Sequence, residues 1–338
     1  MAGRGFFGGG QHDIYLVYYN PATNTLPAAD AGLNLSISSE NQNVTVIYGI
    51  ATDSNGDPLN YRWLEGSAKL SSWQPLGSNG EAYLDLSQVP LFTIGEHTLT
   101  LEVSDGQSAS RDDMILTIGN SAPHPAPTGV GVYSYGSPVD LGGQVSDFDG
   151  DMVDYEWREG SALLFSGQVQ TVYQGAPVDL QVHVLANLSL GEHTITLCVN
   201  DNVNASVCND ILVSIIDTSA PSIAPVPSKT ILWPPNHKMV DITIVANASD
   251  NSGGPVTLAA SVSSNEPEEG LGDGDLTPDW TEPVIDQANG IIYLQLRAER
   301  SDSGNGRVYT ITITATDASG NSSQANVQII VPHDKSKK

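Results

Sequence analysis

From about residue 25 to the end of the chain, short runs alternate apolar and polar side chains. MVDITIVANAS (239–249), GIIYLQLRAE (290–299), RVYTITITATD (307–317) and ANVQIIVP (325–332) show the pattern, as do GEHTLTLEVSDG (95–106) and GEHTITLCVNDN (191–202). A period of two is that of a strand with one face buried and one wet. No amphipathic run of helical length intervenes, and Gly, Pro, Asn, Asp and Ser fill the gaps, as in strands joined by tight turns. The pattern predicts an all-β chain.

The alternation is itself repeated. Shifted by 94 positions, ATDSNGDPLNYRWLEGSAKL (51–70) lies on VSDFDGDMVDYEWREGSALL (145–164) with ten identities in twenty positions, and the two GEHT strings lie 96 residues apart. A unit of about 95 residues is therefore present twice. The linkers GNSAPHPAP (119–127) and DTSAPSIAPVPS (217–228) are rich in Pro, Ala and Ser, and each follows a predicted strand. This divides the chain into an extension (1–24), three tandem β-sandwiches (25–119, 120–216 and 217–333) and a basic tail (334–338). The extension contains DIYLVYYN (13–20), a good strand by propensity. It belongs to a preceding domain, adds to the first repeat, or seeks a partner chain by self-association.

Composition narrows the partners. Asp and Glu outnumber Lys and Arg by 39 to 13, for a net charge of -26, so nucleic acid and anionic membrane surfaces are unfavourable partners. No window approaches 18 consecutive apolar residues, which argues against membrane insertion. MAGRGFFGGG lacks the apolar core of an ordinary secretion signal. Cys198 and Cys208 sit on two predicted strands flanking the turn NDNVNAS. Alternation puts Ile195, Leu197 and Val199 in the core and turns Cys198 outward, so a disulfide would pin the hairpin on its solvent face. That would need an oxidising compartment.

The string Asp-x-Asn/Asp-Gly-Asp-x-Leu/Val-x-Tyr-x-Trp, followed some 35 residues later by Gly-Glu-His-Thr-x-Thr-Leu-x-Val-x-Asp, resembles PKD and related cadherin-like modules of secreted bacterial proteins. His97 and His193 stand where many members carry a tyrosine. In the third unit, LWPPNHKMVDITI (232–244), LRAERSDSGNGRVYTIT (296–312) and ATDASGNSS (315–323) resemble an Ig-like C-terminal module related to hyalin repeats. The resemblances cover about residues 25–333. They imply an Ig-like fold with Trp63 and Trp157 on a central strand, filling the core.

In an Ig-like sandwich the loop before that Trp strand and the loop after the GEHT strand meet at one end. Asp53, Asn55, Asp57 and Asp105 should gather there in the first repeat, and Asp147, Asp149, Asp151 and Asp201 in the second. Asp250 and Asp317 occupy equivalent places in the third. Clustered carboxylates without a local cation repel, and Ca²⁺ accepts many oxygens in flexible geometry. The alternative is a turn in which Asp and Asn side chains cap their own backbone. The spacing is not that of an EF-hand, because position 12 is Leu64 or Arg158 where a bidentate Glu is needed. The acidic loop NEPEEGLGDGDLTPD (265–279) is expected to be solvated.

No H-E-x-x-H, G-x-S-x-G or phosphate-binding glycine loop occurs, and the expectation is a protein that is not an enzyme. The function expected is an extracellular or cell-surface stalk or adhesive segment stiffened by calcium. Its partners would be neighbouring domains or a protein or polysaccharide surface. An accessory region of a secreted hydrolase and a filament subunit joined through residues 13–20 are the alternatives.

Overall fold

The computed structural model describes residues 23–268, 276–302 and 304–334. The segment 13–20 and most of the basic tail lie outside the described residues. The chain folds as tandem β-sandwiches with three separate apolar cores.

In the first sandwich a small sheet orders Ala28–Asp30, Val46–Thr52 and Glu81–Asp85. The facing sheet runs from Leu35–Ser38 through Ala109–Gly119 and Gly95–Ser104 to Asn60–Glu65, whose far side pairs two short strands. Leu35–Ser38 is parallel to Ala109–Gly119, while the other pairs are antiparallel. The second sandwich repeats this plan. His124–Thr128 and Val178–Asp179 flank Val139–Ser146. Opposite them, Gly131–Ser134 runs parallel to Val207–Ile216, followed by Gly191–Asn200, Met152–Glu159 and Ala162–Gln170. The third places Met239–Val245 and Ile291–Arg297 against Thr257–Ser264, Gly306–Thr316 and Ser322–Pro332.

Alternation explains the cores. Along Gly191–Asn200, Ile195, Leu197 and Val199 are fully buried while Thr196 and Cys198 face outward. Trp63 and Trp157 are 0% exposed. At about 25 cal/mol per Å² and roughly 200 Å² per indole, each supplies an upper estimate of about 5 kcal/mol. The two sheets approach closely at Gly49, where a β-carbon would come 2.7 Å from Leu101 Cδ2 and 3.3 Å from Trp63.

Cys198 and Cys208 face each other across the hairpin and form a disulfide on the outer face of their sheet. The first sandwich puts Glu102 opposite Arg111 at the same place in its hairpin. Glu102 is buried between Arg111 and Arg62, at 2.7 and 2.5 Å. One fold position thus holds a covalent tie in one copy and an ionic one in the other.

Candidate metal centres

Each of the three sandwiches brings an acidic loop to the end where the chain enters it. Asp53, Asp57 and Asp105 form one group of carboxylates, with an oxygen from each within 4.8 Å of the others. Asp147, Asp149 and Asp151 form the second, and Asp217, Asp250 and Asp317 the third.

The loops are built alike. Asp147 Oδ1 accepts the backbone N–H groups of Asp149, Gly150 and Asp151 at 2.9, 3.0 and 3.4 Å. Asp53 Oδ1 takes those of Asn55 and Asp57 at 2.9 and 3.3 Å, and Asp250 Oδ1 takes that of Ser252 at 2.8 Å. The leading aspartate therefore spends one oxygen folding the loop. Gly150 makes this possible in the second copy: its φ is +77°, and a β-carbon would meet the Tyr173 backbone nitrogen at 2.8 Å.

The other oxygen is the informative one. Oδ2 of Asp53, of Asp147 and of Asp250 is shut off from solvent in each case and has no hydrogen-bond donor. A buried carboxylate oxygen without a partner is costly, and here it recurs at one position of three loops. Asp147 is 0% exposed. Burial, then the charges of Asp149 and Asp151, push its carboxyl group above the usual range. A divalent cation among these oxygens would reverse that pressure. The donor set is hard oxygen with flexible spacing, which fits Ca²⁺. The loop-folding bonds that the capping alternative requires are present, but they leave Oδ2 unexplained.

The remaining expected residues separate. Asp105 stands in the first group, and Asn24 and Ser108 also donate to it. The Ser108 backbone N–H, the Asn24 amide and the Gln107 backbone N–H hold its carboxyl group far below the ordinary range. Asn55 is exposed and bridges Asp57 and Thr25. Asp201 lies outside the second group. Its oxygens are taken up by the backbone N–H groups of Val203 and Asn204 and the side-chain amides of Asn204 and Asn120, all at 2.8–2.9 Å. Asp217, in the linker, is not announced by the repeat, because the aligned position of the preceding linker is Gly119.

The acidic loop 265–279 also departs from expectation. Its residues 269–275 lie outside the described residues, but Glu266 and Asp279 are buried, not solvated. Both bind the guanidinium of Arg307, which is 1% exposed. Arg297 and Glu299 extend the network, and Glu299 accepts from His237 at 3.0 Å. Burial pushes the Tyr309 phenol, which lies against this network, up to about 12. These charges anchor one end of the third sandwich.

His97 and His193 do the work of the missing tyrosine. Each sends Nε2 back to a carbonyl four residues upstream, Thr93 at 2.8 Å and Ser189 at 3.0 Å. A tyrosine at this corner makes the same type of bond through its hydroxyl. Each also places Nδ1 at 2.6 Å from a glutamate, Glu65 or Glu159. Of the other tryptophans, Trp73 lies under Arg62 at 4.5 Å, Trp280 meets Tyr309 edge-on, and Trp233 is half-exposed.

No family model and no curated protein matches this chain. Solved structures similar to it include three Ig domains of titin, at 13% identity, 91% of this chain, 99% of that chain and TM-score 0.33. A 1.5-MDa bacterial ice-binding adhesin is similar at 11% identity, 91% of this chain, 98% of that chain and TM-score 0.32. Cadherin domains 1–5 of protocadherin Gamma B2 are similar at 17% identity, 92% of this chain, 60% of that chain and TM-score 0.31. Among the described residues, no helix is long and apolar enough to cross a membrane.

Proposed function

We propose that this chain is a non-catalytic, extracellular stalk or adhesive segment whose sandwiches, bounded at 119/120 and 216/217, are stiffened by Ca²⁺ at their acidic loops. The observation that supports it is the orphaned Oδ2 of Asp53, Asp147 and Asp250, one per loop. Asp53, Asp57 and Asp105 would hold the first ion and Asp147, Asp149 and Asp151 the second. Bound Ca²⁺ supplies charge neutralisation and fixes the loop in one conformation.

The second loop also touches the junction. Ser121, in the linker, donates its N–H and hydroxyl to Asp149 Oδ2 at 2.6 and 2.8 Å. Phe148 and Tyr173 face Phe92, Thr93 and Ile94 of the first sandwich across a cleft of about 260 Å³. Fixing this loop would fix the angle between the sandwiches. Partners would be neighbouring domains of a longer array, or a protein or polysaccharide surface. The acidic surface and the disulfide favour a location outside the cell or on its surface.

Thermal melting with Ca²⁺ and with EDTA tests this, for the wild type and for Asp149→Ala plus Asp151→Ala. An ion at about 100 times its Kd stabilises by about 2.7 kcal/mol, or some 13 °C for a unit of roughly 100 residues. The double variant should lose that gain in the second sandwich alone. Equal melting of wild type and variant in both conditions refutes a second-loop site.

A further inference from the structure

Four Asn-Gly steps occur in the chain, at Asn55, Asn79, Asn289 and Asn305. In such a step the glycine nitrogen can attack the side-chain amide carbon of the asparagine and close a five-membered imide, because glycine has no β-carbon in the way and turns freely about φ. A folded chain permits this where the glycine N–H is free, the site is open to water, and the charge that develops on the asparagine Oδ1 finds donors.

Asn55–Gly56 meets all of these conditions. Both residues are exposed, and a β-carbon on Gly56, whose φ is +77°, would touch nothing within 4 Å. Asp53 Oδ1 takes the N–H groups of Asn55 and Asp57 but passes over that of Gly56, which has no acceptor among the described residues. In the second copy the matching Gly150 N–H is held by Asp147 Oδ1 at 3.0 Å. Asn55 Oδ1 receives two donors from the entering chain, the Thr25 N–H at 3.3 Å and the Thr25 hydroxyl. The Thr25 proton being committed to Asn55, Ser54 Oγ at 2.7 Å donates to Thr25 Oγ1. Asn55 Nδ2 donates to Asp57 Oδ2 at 2.5 Å, which fixes which end of the amide is the oxygen. The other steps each lack a condition. The Gly80 N–H is taken by the Gly77 carbonyl at 3.0 Å, Gly306 is buried at the start of its strand, and Asn289, though exposed, has no donor on Oδ1 among the described residues.

We infer that Asn55 is a site of spontaneous covalent modification, deamidated by its own main chain with Thr25 as the oxyanion donor. The Gly56 nitrogen bonds to Asn55 Cγ and releases its proton to solvent, while the carbonyl electron pair moves onto Oδ1 against the two Thr25 donors. Collapse of this intermediate breaks the Cγ–Nδ2 bond, and Nδ2 leaves as ammonia with a proton from water. Water then opens the imide at either carbonyl, giving aspartate or isoaspartate. One water is consumed and one ammonia released, with no oxidant or reductant. The change replaces a donor to Asp57 by a further carboxylate, at the position where the second copy encodes Asp149. The isoaspartate product also lengthens the main chain of the loop that Thr25 ties down. The first loop therefore changes in charge and length as the molecule ages, while the second, whose glycine N–H is bound, does not. The chemistry requires no ion in the loop.

Peptide mapping by mass spectrometry of the full chain, held at neutral pH in EDTA for timed intervals, reads the conversion at all four steps. Asn55 should convert at least about tenfold faster than Asn289 in the folded chain, the factor expected from one charge-assisted hydrogen bond to a developing oxyanion. In urea, where the Thr25 contacts are gone, the two rates should converge. Thr25→Val removes the hydroxyl and should slow Asn55 about tenfold, while Asn289 in the same chain keeps its rate and reports an intact fold. Thr25→Ser should restore the wild-type rate at Asn55. Isoaspartate at position 55, detected by enzymatic methylation, is the expected mark of the imide route. Equal rates at Asn55 and Asn289 in the folded chain, or a difference between them that persists in urea, overturn the proposal. Conversion of Asn55 at the wild-type rate in the Thr25→Val chain overturns it as well, as does a product that is aspartate alone.

Discussion

Replacing Cys198 and Cys208 together by alanine should destabilise the second sandwich by an amount that can be worked from the hairpin. The bond joins residues ten apart, closing a loop of about eleven residues. The chain-entropy relation then gives about 2.8 kcal/mol at 25 °C. Both side chains lie on the outer face of the sheet, and Cys208 is exposed, so little packing is lost and the crosslink dominates the change. A unit of roughly 100 residues unfolds with an entropy near 0.2 kcal/mol/K, so its Tm should fall by about 13 °C. Calorimetry reads the shift, and hydrogen exchange followed by mass spectrometry assigns it: segment 191–216 should lose protection while 95–119 does not. The Glu102–Arg111 pair holds the equivalent place in the first sandwich, which makes that segment an internal control. A fall of under a few degrees, or parallel loss of protection in 95–119, would refute the reasoning.

Four further outcomes are expected. Trp157→Ala, at a site with no exposure, should cost about 3–5 kcal/mol, read as a lower urea midpoint for the second sandwich. Burial alone would raise the Glu102 carboxyl group, but the guanidinium groups of Arg111 and Arg62 outweigh it and hold the group below its usual 4.5. Its stabilisation is therefore full above that value and lost as pH falls through the lower folded value, and Glu102→Gln should flatten Tm against pH across that acid range. The Ser189 carbonyl and Glu159 raise His193 above 6.5. Its contribution is full below 6.5 and lost as pH rises through the folded value, a slope that His193→Gln should remove. Arg307→Met removes the guanidinium that Glu266 and Asp279 share, leaving Asp279 with Arg297 at 3.9 Å, and should cost about 3–5 kcal/mol in the third sandwich.

The strands and cores were legible because period-two alternation and the 94-residue repeat report directly on which side chains must leave water. The orphaned oxygens were legible only as loops. Spacing places Asp147 and Asp201 at one end of a sandwich, but it does not say that four N–H donors saturate Asp201 while Asp147 keeps an oxygen bare. Asp217 escaped because the preceding linker carries Gly119 at the aligned position, and its carboxylate reaches partners 33 and 100 residues away. The loop at 265–279 misled for a related reason. Its acids look solvated until Arg307, some 28 and 41 residues on, is seen to lie between them.

The parallel pairing of the second and last strands of the first two sandwiches gives the array a mechanical property. In the first sandwich, Leu35–Ser38 lies beside Leu116–Gly119, and in the second Gly131–Ser134 lies beside Val213–Ile216. A pull on the two ends of either sandwich drags these strands past each other lengthwise, so four register pairs must yield together instead of opening one at a time. Among the described residues, the third sandwich has only the isolated bridge between Ile231 and Ile330 in that place. Under tension it is the unit that should lengthen first, making the C-terminal sandwich the extensible part of the array and the first two its stiff part.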